Sequence, residues 1–180
     1  MRILAGAWRG RILQAPPGLD TRPTAERLRQ ALFDMLLHAP WGGRLDGMLV
    51  LDGFAGTGAL GLEALSRGAA GAWFIERDRA ALAVLRANVA SCRGAQATVL
   101  AADALRPPPG VPCDLVFLDP PYAQDLLPRA LAALRMAGWI APGALVVAEA
   151  GRNETPDLGM MLAERAHGAG RVTVWRSGPE

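Results

Sequence analysis

Lysine is missing from this sequence: all 19 basic residues are arginine, set against 17 acidic ones for a formal net charge of +2. Arginine's planar fork suits phosphates and base edges. A GC-rich coding sequence nevertheless produces the same bias, along with abundant alanine, glycine and proline, so the arginine total alone is no sign of nucleic-acid binding. Cysteine is almost absent too. Cys92 and Cys113 lack the spacing of a metal-binding pair, and two lone cysteines read as reduced core thiols of a cytosolic protein. His38 and His167 are too few and too far apart in sequence for a zinc site, so no metal is expected. No stretch reaches the roughly 18 apolar residues of a membrane span, and Met1–Gly6 lacks the apolar run of a signal peptide. Export and membrane insertion are therefore not expected, which leaves the cytoplasm.

What is present is the balance of a soluble globular protein, with 51% hydrophobic and 20% charged residues. The 180 residues suffice for the core of one ordinary domain but not for a second large module. The arginines are unevenly spread. Arg2, Arg9, Arg11, Arg22, Arg27 and Arg29 all precede residue 30, with Asp20 and Glu26 the only acids among them, which makes a basic N-terminal arm.

Arg2–Ala5 and Arg11–Gln14 are short apolar pieces flanking Gly6 and Gly10, the pattern of a hairpin. Thr24 is placed to cap a helix in which Leu28, Ala31, Leu32, Met35 and Leu36 recur at helical spacing, and Pro40, Gly42 and Gly43 stop it. From residue 48 short apolar strands alternate with helices. Met48–Asp52, Ala72–Glu76, Ala97–Ala101, Leu115–Asp119 and Ala144–Ala150 read as strands; Gly58–Arg67, Arg79–Cys92 and Leu126–Gly138 read as helices. Continuous apolar runs separated by helices call for a mostly parallel sheet covered on both faces, an α/β fold. Met160–Ala166 and Arg171–Trp175, around His167–Gly170, predict a closing antiparallel hairpin, and the proline-rich Arg106–Gly110 is a loop.

Two segments carry chemistry. The first, Leu51 to Gly61, is a strand that runs through Asp52, Gly53, Phe54, Ala55, Gly56, Thr57 and Gly58 into a helix. Its glycines let backbone pass close to a ligand. Taken alone such a loop could bind a dinucleotide or be only a tight turn, so its surroundings decide. Glu76 closes the next strand, where a carboxylate can accept both ribose hydroxyl protons of an adenosine, although a strand-end charge beside Arg77 is the plainer alternative. Asp103, just past the third strand, could take an adenine amino group or simply be solvated; Ala104 would then offer its backbone amide.

The second segment is Asp119-Pro120-Pro121-Tyr122, closing the apolar run Leu115–Leu118. Two adjacent prolines fix the backbone and remove two donors, and the carboxyl ends of strands are where open α/β sheets place ligands. An exocyclic amine on an aromatic ring is a poor nucleophile because its lone pair is delocalised. Asp119 and a carbonyl of the turn can accept its two N–H hydrogens and aim the lone pair at a methyl group, while Tyr122 stacks on the base. Asp119, Pro120 and Tyr122 are thus the candidate catalytic residues.

The chain resembles the RsmD-type family of bacterial ribosomal RNA guanine-N2 methyltransferases, within the class I methyltransferase superfamily. The likeness covers most of the chain. It rests on Arg2–Arg11, on Arg22-Pro23-Thr24 with Arg27–Phe33, on the Asp52–Gly58 loop, on Leu62–Ala69 and on Asp119–Tyr122. The resemblance implies a Rossmann-like, seven-stranded mostly parallel sheet with helices on both faces and an N-terminal β-hairpin plus helix. It implies a single methyltransferase domain, residues 1–43 contacting RNA and 44–180 forming the catalytic core. S-adenosylmethionine would lie on Asp52, Phe54–Gly58, Glu76, Asp103 and Ala104, and small-subunit 16S ribosomal RNA, as an assembled or nearly assembled subunit, would be the partner. Arg9, Arg11, Arg22, Arg27 and Arg29 would touch the RNA. Gly53 stands where the family usually has a larger apolar residue, and Thr57 replaces a common serine while keeping the hydroxyl. The alternatives are an adenine-N6 methyltransferase, which usually needs a recognition region absent here, and a non-catalytic RNA-binding assembly factor, which intact Asp119 and Tyr122 disfavour. A glutamine methyltransferase would open its turn with asparagine, and a nicotinamide oxidoreductase would need a hydride-transfer acid.

Overall fold

The computed structural model describes residues 1–16, 23–121, 126–151, 159–167 and 170–178. In chain order the elements are α1 (Pro23–His38), β1 (Leu49–Asp52), α2 (Ala59–Ser66), β2 (Gly71–Glu76), α3 (Arg79–Ser91), β3 (Ala97–Ala101), β4 (Cys113–Leu118), α4 (Leu126–Met136), β5 (Ile140–Gly151), β6 (Met160–His167) and β7 (Gly170–Arg176). The seven strands form one sheet in the order β3-β2-β1-β4-β5-β7-β6. The first five run parallel, and the closing hairpin adds β7 antiparallel to β5 and β6 antiparallel to β7. The expected α/β architecture and its antiparallel close are therefore both present.

Side chains alternate across a strand, and here that alternation divides the apolar residues between two cores. Val50, Phe74, Phe117 and Val147 turn to the face that carries α1, α2 and α3. Leu51, Ile75, Val116, Leu118 and Val146 turn to the opposite face, against Leu127, Leu131 and Leu134 of α4. That second face has no helix between β3 and β4. The proline-rich loop covers it instead: Trp139 Nε1 donates to the Pro108 carbonyl at 2.8 Å, and a Cβ on Gly110 would lie 2.4 Å from the indole.

The N-terminal arm forms the expected hairpin: an antiparallel bridge joins Arg2 and Ile12, and the amides of Ile3, Gly10 and Leu13 donate to the carbonyls of Arg11, Ile3 and Met1, each at 2.9 Å. The arm is held by side chains of the neighbouring helices. Buried Glu63 of α2 accepts from the amides of Leu4 and Ala5 at 2.8 and 3.1 Å. Ser66 accepts from the Trp8 amide and donates to the Ala5 carbonyl. Gly6 lies so close that a Cβ would come within 1.7 Å of the Ser66 carbonyl oxygen. The arm's return is pinned by buried Asn88 of α3, which accepts from the Gln14 amide and donates to the carbonyls of Gln14 and Thr57.

One expectation about α1 needs correction. The helix begins at Pro23, which puts Thr24 inside the first turn rather than at the cap; proline's preset φ and missing N–H suit the first helical position. Of the expected stripe, Leu32 and Leu36 are buried while Leu28, Ala31 and Met35 are half-buried, and Arg29 and Phe33 complete the buried face. Phe33 packs its ring 5.8 Å from that of Phe117 in β4.

Candidate active site

The alternation that sorts the core also sets the site. Asp52, Glu76, Asp119 and Glu149 each stand two residues beyond a side chain of the helix-bearing face, namely Val50, Phe74, Phe117 and Val147. Four adjacent strands, β2, β1, β4 and β5, therefore carry a carboxylate at or near their C-terminal ends on one side of the sheet. A cleft of about 280 Å3 opens along this edge, lined by Asp52, Asp119, Val147, Glu149 and Val172 of the sheet, by Phe54–Thr57 of the loop, and by Glu26, Leu28, Arg29 and Leu32 of α1. Among the described residues, no group of three or more acids, histidines or cysteines could hold a metal ion.

The glycine-rich loop is fixed by backbone bonds to both neighbouring strands. The amide of Gly53 donates to Phe117 and that of Ala55 to Ile75, at 2.9 and 3.0 Å. Gly56 and Gly58 take positive φ values of 52° and 79°, which side chains rarely tolerate. A Cβ on Gly58 would also meet Leu85 at 2.5 Å, whereas one on Gly56 would meet nothing, so at Gly56 the backbone faces open space. Gly58, at the N-cap of α2, offers no side chain to the first turn; Asp52 serves there instead, accepting from the Gly61 amide. Gly53 packs against Leu118, where a Cβ would come within 2.7 Å of a methyl group; its small size serves that contact.

Asp52 is 3% exposed and accepts from the Gly61 amide at 3.1 Å. Burial pushes its carboxyl up to about 8; the Gly61 hydrogen bond opposes the rise, and the charges of Asp119 and Glu76 add to it. The Asp119 carboxyl rises to about 7, first because packed neighbours strip it of water and then because Glu149 repels a second negative charge. Water reaches Asp119 from the mouth of the cleft. Leu118 registers with Ala148, which puts Asp119 and Glu149 at neighbouring strand ends.

Of the other expected residues, Glu76 joins the site through the loop, accepting from the Gly56 amide at 2.8 Å and from Arg77 and Asp78. Asp103 and buried Ala104 lie past the end of β3, outside the cleft lining. Asp103 is held below the usual carboxylate range by the Leu105 amide and then by Arg77, 3.0 Å away. Pro120 is buried behind Asp119. Tyr122 and Arg22 lie outside the described residues. Arg9, Arg11 and Arg27 are exposed; Arg9 and Arg27 share a groove with Arg2 and Gln30, while Arg11 donates to the Ser91 carbonyl. Arg29 departs from expectation. It is 7% exposed, donates to the Arg2 carbonyl and faces Glu63, and burial lowers its pKa while Glu63 opposes the fall. A guanidinium so withdrawn is a structural group, not a phosphate contact. Sequence reading overlooked Glu149, Glu63 and Asn88.

A parallel sheet closed by an antiparallel hairpin, with a glycine-rich loop after β1 and an Asp-Pro-Pro turn after β4, defines a class I methyltransferase. The family model described as Conserved hypothetical protein 95 matches residues 1–176, and the chain belongs to that family. It is 43% identical over 151 residues to ribosomal RNA small subunit methyltransferase D of Escherichia coli, covering 83% of this chain and 74% of the relative. The protein of that name from Haemophilus influenzae is 37% identical over 177 residues, covering 93% and 89%. Among solved structures, the candidate methyltransferase yhhF of Escherichia coli superposes with a TM-score of 0.86 at 38% identity, covering 100% of this chain and 99% of that one.

Proposed function

We propose that this protein transfers a methyl group from S-adenosylmethionine to the exocyclic N2 of a guanine in small-subunit 16S ribosomal RNA, in the cytoplasm and on an assembled or nearly assembled subunit. The observation that carries the reading is Asp119, followed by buried Pro120, opening onto the same cleft as the glycine-rich loop. The residues fit the methyl donor: Gly56 faces open space and Glu76, at the end of β2, keeps acceptor capacity for ribose hydroxyls beyond its three amide bonds. Asp103 and Ala104, further along the edge, would take the adenine. The bound donor supplies an electrophilic methyl on a sulfonium sulfur.

Asp119 accepts a hydrogen bond from the target amine and turns the nitrogen lone pair towards that methyl. This bond strengthens as the new C–N bond forms and the nitrogen becomes cationic, so it stabilises the transition state more than the bound base. As the C–N bond forms the methyl's bond to sulfur would break, and the proton of the cationic nitrogen passes to Asp119 and from it to water at the cleft mouth. Asp119 need not be a strong base for this, only a placed acceptor. Tyr122 would stack on the base, which must be unpaired or swung out to enter the cleft. Arg9, Arg11 and Arg27 would hold the RNA backbone. Tritiated methyl transfer to small subunits that lack the modification, followed by nucleoside analysis, tests the reading: label in N2-methylguanine supports it, and label in any other nucleoside, or none, rejects it.

A further inference from the structure

Asp119 is not the last carboxylate of the row. Glu149, at the end of β5, lines the same cleft, flanked by Val147 and Val172 and facing Leu28 and Leu32 across it. Its backbone is paired on both sides of the strand end: Ala148 registers with Leu118 of β4, and Glu149 itself with Val172 of β7. The carboxylate therefore stands on a rigid ladder in a slot whose walls are largely apolar, with Arg29 and Glu26 of α1 also lining it, beside the group assigned to the target amine. A carboxylate has lone pairs for several donors, so two neighbouring acids here suit a ligand edge made of donors. Guanine has that edge, because its ring N1–H lies directly next to its exocyclic N2 amine, and the base carries no charge to be desolvated. Adenine presents an acceptor, its ring N1 lone pair, next to its amine.

We propose that Glu149 is the specificity-determining residue of the site: its carboxylate accepts the N1–H of guanine while Asp119 accepts from the adjacent N2 amine. The assignment rests on the guanine reading above and sharpens it, since it names the atom by which guanine is distinguished. A base with an acceptor at ring N1 sets a lone pair against the carboxylate and is refused. The repulsion that Glu149 exerts on Asp119 is relieved once both oxygens face N–H groups.

The test uses 2-aminopurine, which keeps the exocyclic amine of guanine but has a lone pair at ring N1. Small subunits are rebuilt on RNA carrying guanine or 2-aminopurine at the position the parent protein labels, and kcat/KM is measured for the parent and for Glu149→Gln. The parent is expected to prefer guanine by roughly 10–100-fold, the scale of a mismatched hydrogen bond to a charged group. In Glu149→Gln the preference shrinks towards parity, because the glutamine amide can donate to the N1 lone pair; unchanged affinity for S-adenosylmethionine shows that the variant is folded. The proposal is overturned if the parent methylates 2-aminopurine as fast as guanine, or if Glu149→Gln keeps the parent's preference. Either result, with N2-methylguanine recovered from the parent reaction, removes Glu149 alone. Label recovered in another nucleoside from the guanine substrate removes the guanine reading together with it.

Discussion

Glu76 holds the glycine-rich loop, since its two oxygens accept from Gly56, Arg77 and Asp78, and it is the proposed acceptor for the ribose hydroxyls. Glu76→Ala removes an acceptor for the ribose hydroxyls and loosens Gly56, at an expected cost of ~1.5–3 kcal/mol in affinity for S-adenosylmethionine; calorimetry that finds a folded variant binding as tightly as the parent takes Glu76 out of the site. Asp52 answers to pH through stability. Its folded pKa of about 8 lies above the ordinary 3.8, so between those values the native state keeps a proton that the unfolded chain has lost. This contribution to stability falls as pH rises, by at most ~1.4 kcal/mol per pH unit. Denaturation midpoints measured from about pH 5 to about pH 8 are expected to fall less steeply in Asp52→Asn than in the parent, and equal slopes would contradict the assignment. Asp52, Glu76 and Asp119 were legible because each closes an apolar run at a recognisable turn. Glu149 gives the same signal, a lone acid after Ala144–Ala148, but no motif surrounds it. Arg29 was misread because counting charge ignores direction: it precedes Leu32, Phe33 and Leu36 by three, four and seven residues, which puts it on their face of α1.

At the scale of elements, the joint between the arm and the core rests on Glu63. This residue of α2 is fully buried, accepts from two amides of the arm, and lies 2.7 Å from Arg67 and 3.8 Å from Arg29. Arg67 in turn lies over the Phe33 ring at 4.8 Å, so the arm, α1 and α2 share one buried charged centre. Removing the acid leaves two guanidinium groups without their counter-charge. Glu63→Ala is therefore expected to cost about 3–5 kcal/mol of folding stability, read by chemical denaturation; a loss below about 1 kcal/mol would show that the centre is not structural. Helical spacing revealed α2 as an element, but nothing in that spacing says that a glutamate inside it is buried. β5 begins before the expected Ala144: it runs from Ile140 through Pro142 and Gly143, and the ladder to β4 shifts register between Cys113 and Leu115.

For the whole molecule, the alternation of apolar runs and helices made a parallel sheet legible, and the hairpin-like tail made its antiparallel close legible. Strand order was not, because parallel neighbours meet through crossovers whose partners the local pattern leaves open. Carboxylates close the strands inside the cleft, while Arg2, Arg9 and Arg27 share a groove of about 330 Å3 on the arm and α1. Charge reversal at Arg9 and Arg27 is expected to weaken RNA binding and spare the methyl donor. It should also make the dependence of log K on log salt shallower by about 0.7–0.9 for each phosphate that is no longer neutralised. An unchanged salt slope would move the RNA surface elsewhere. The central claim concerns Asp119, and single-turnover methyl transfer to the bound subunit, with S-adenosylmethionine saturating, tests it most directly. Asp119→Ala is predicted to transfer methyl roughly 10²–10³-fold more slowly than the parent; transfer at the parent's rate by the folded, donor-bound variant would contradict the account.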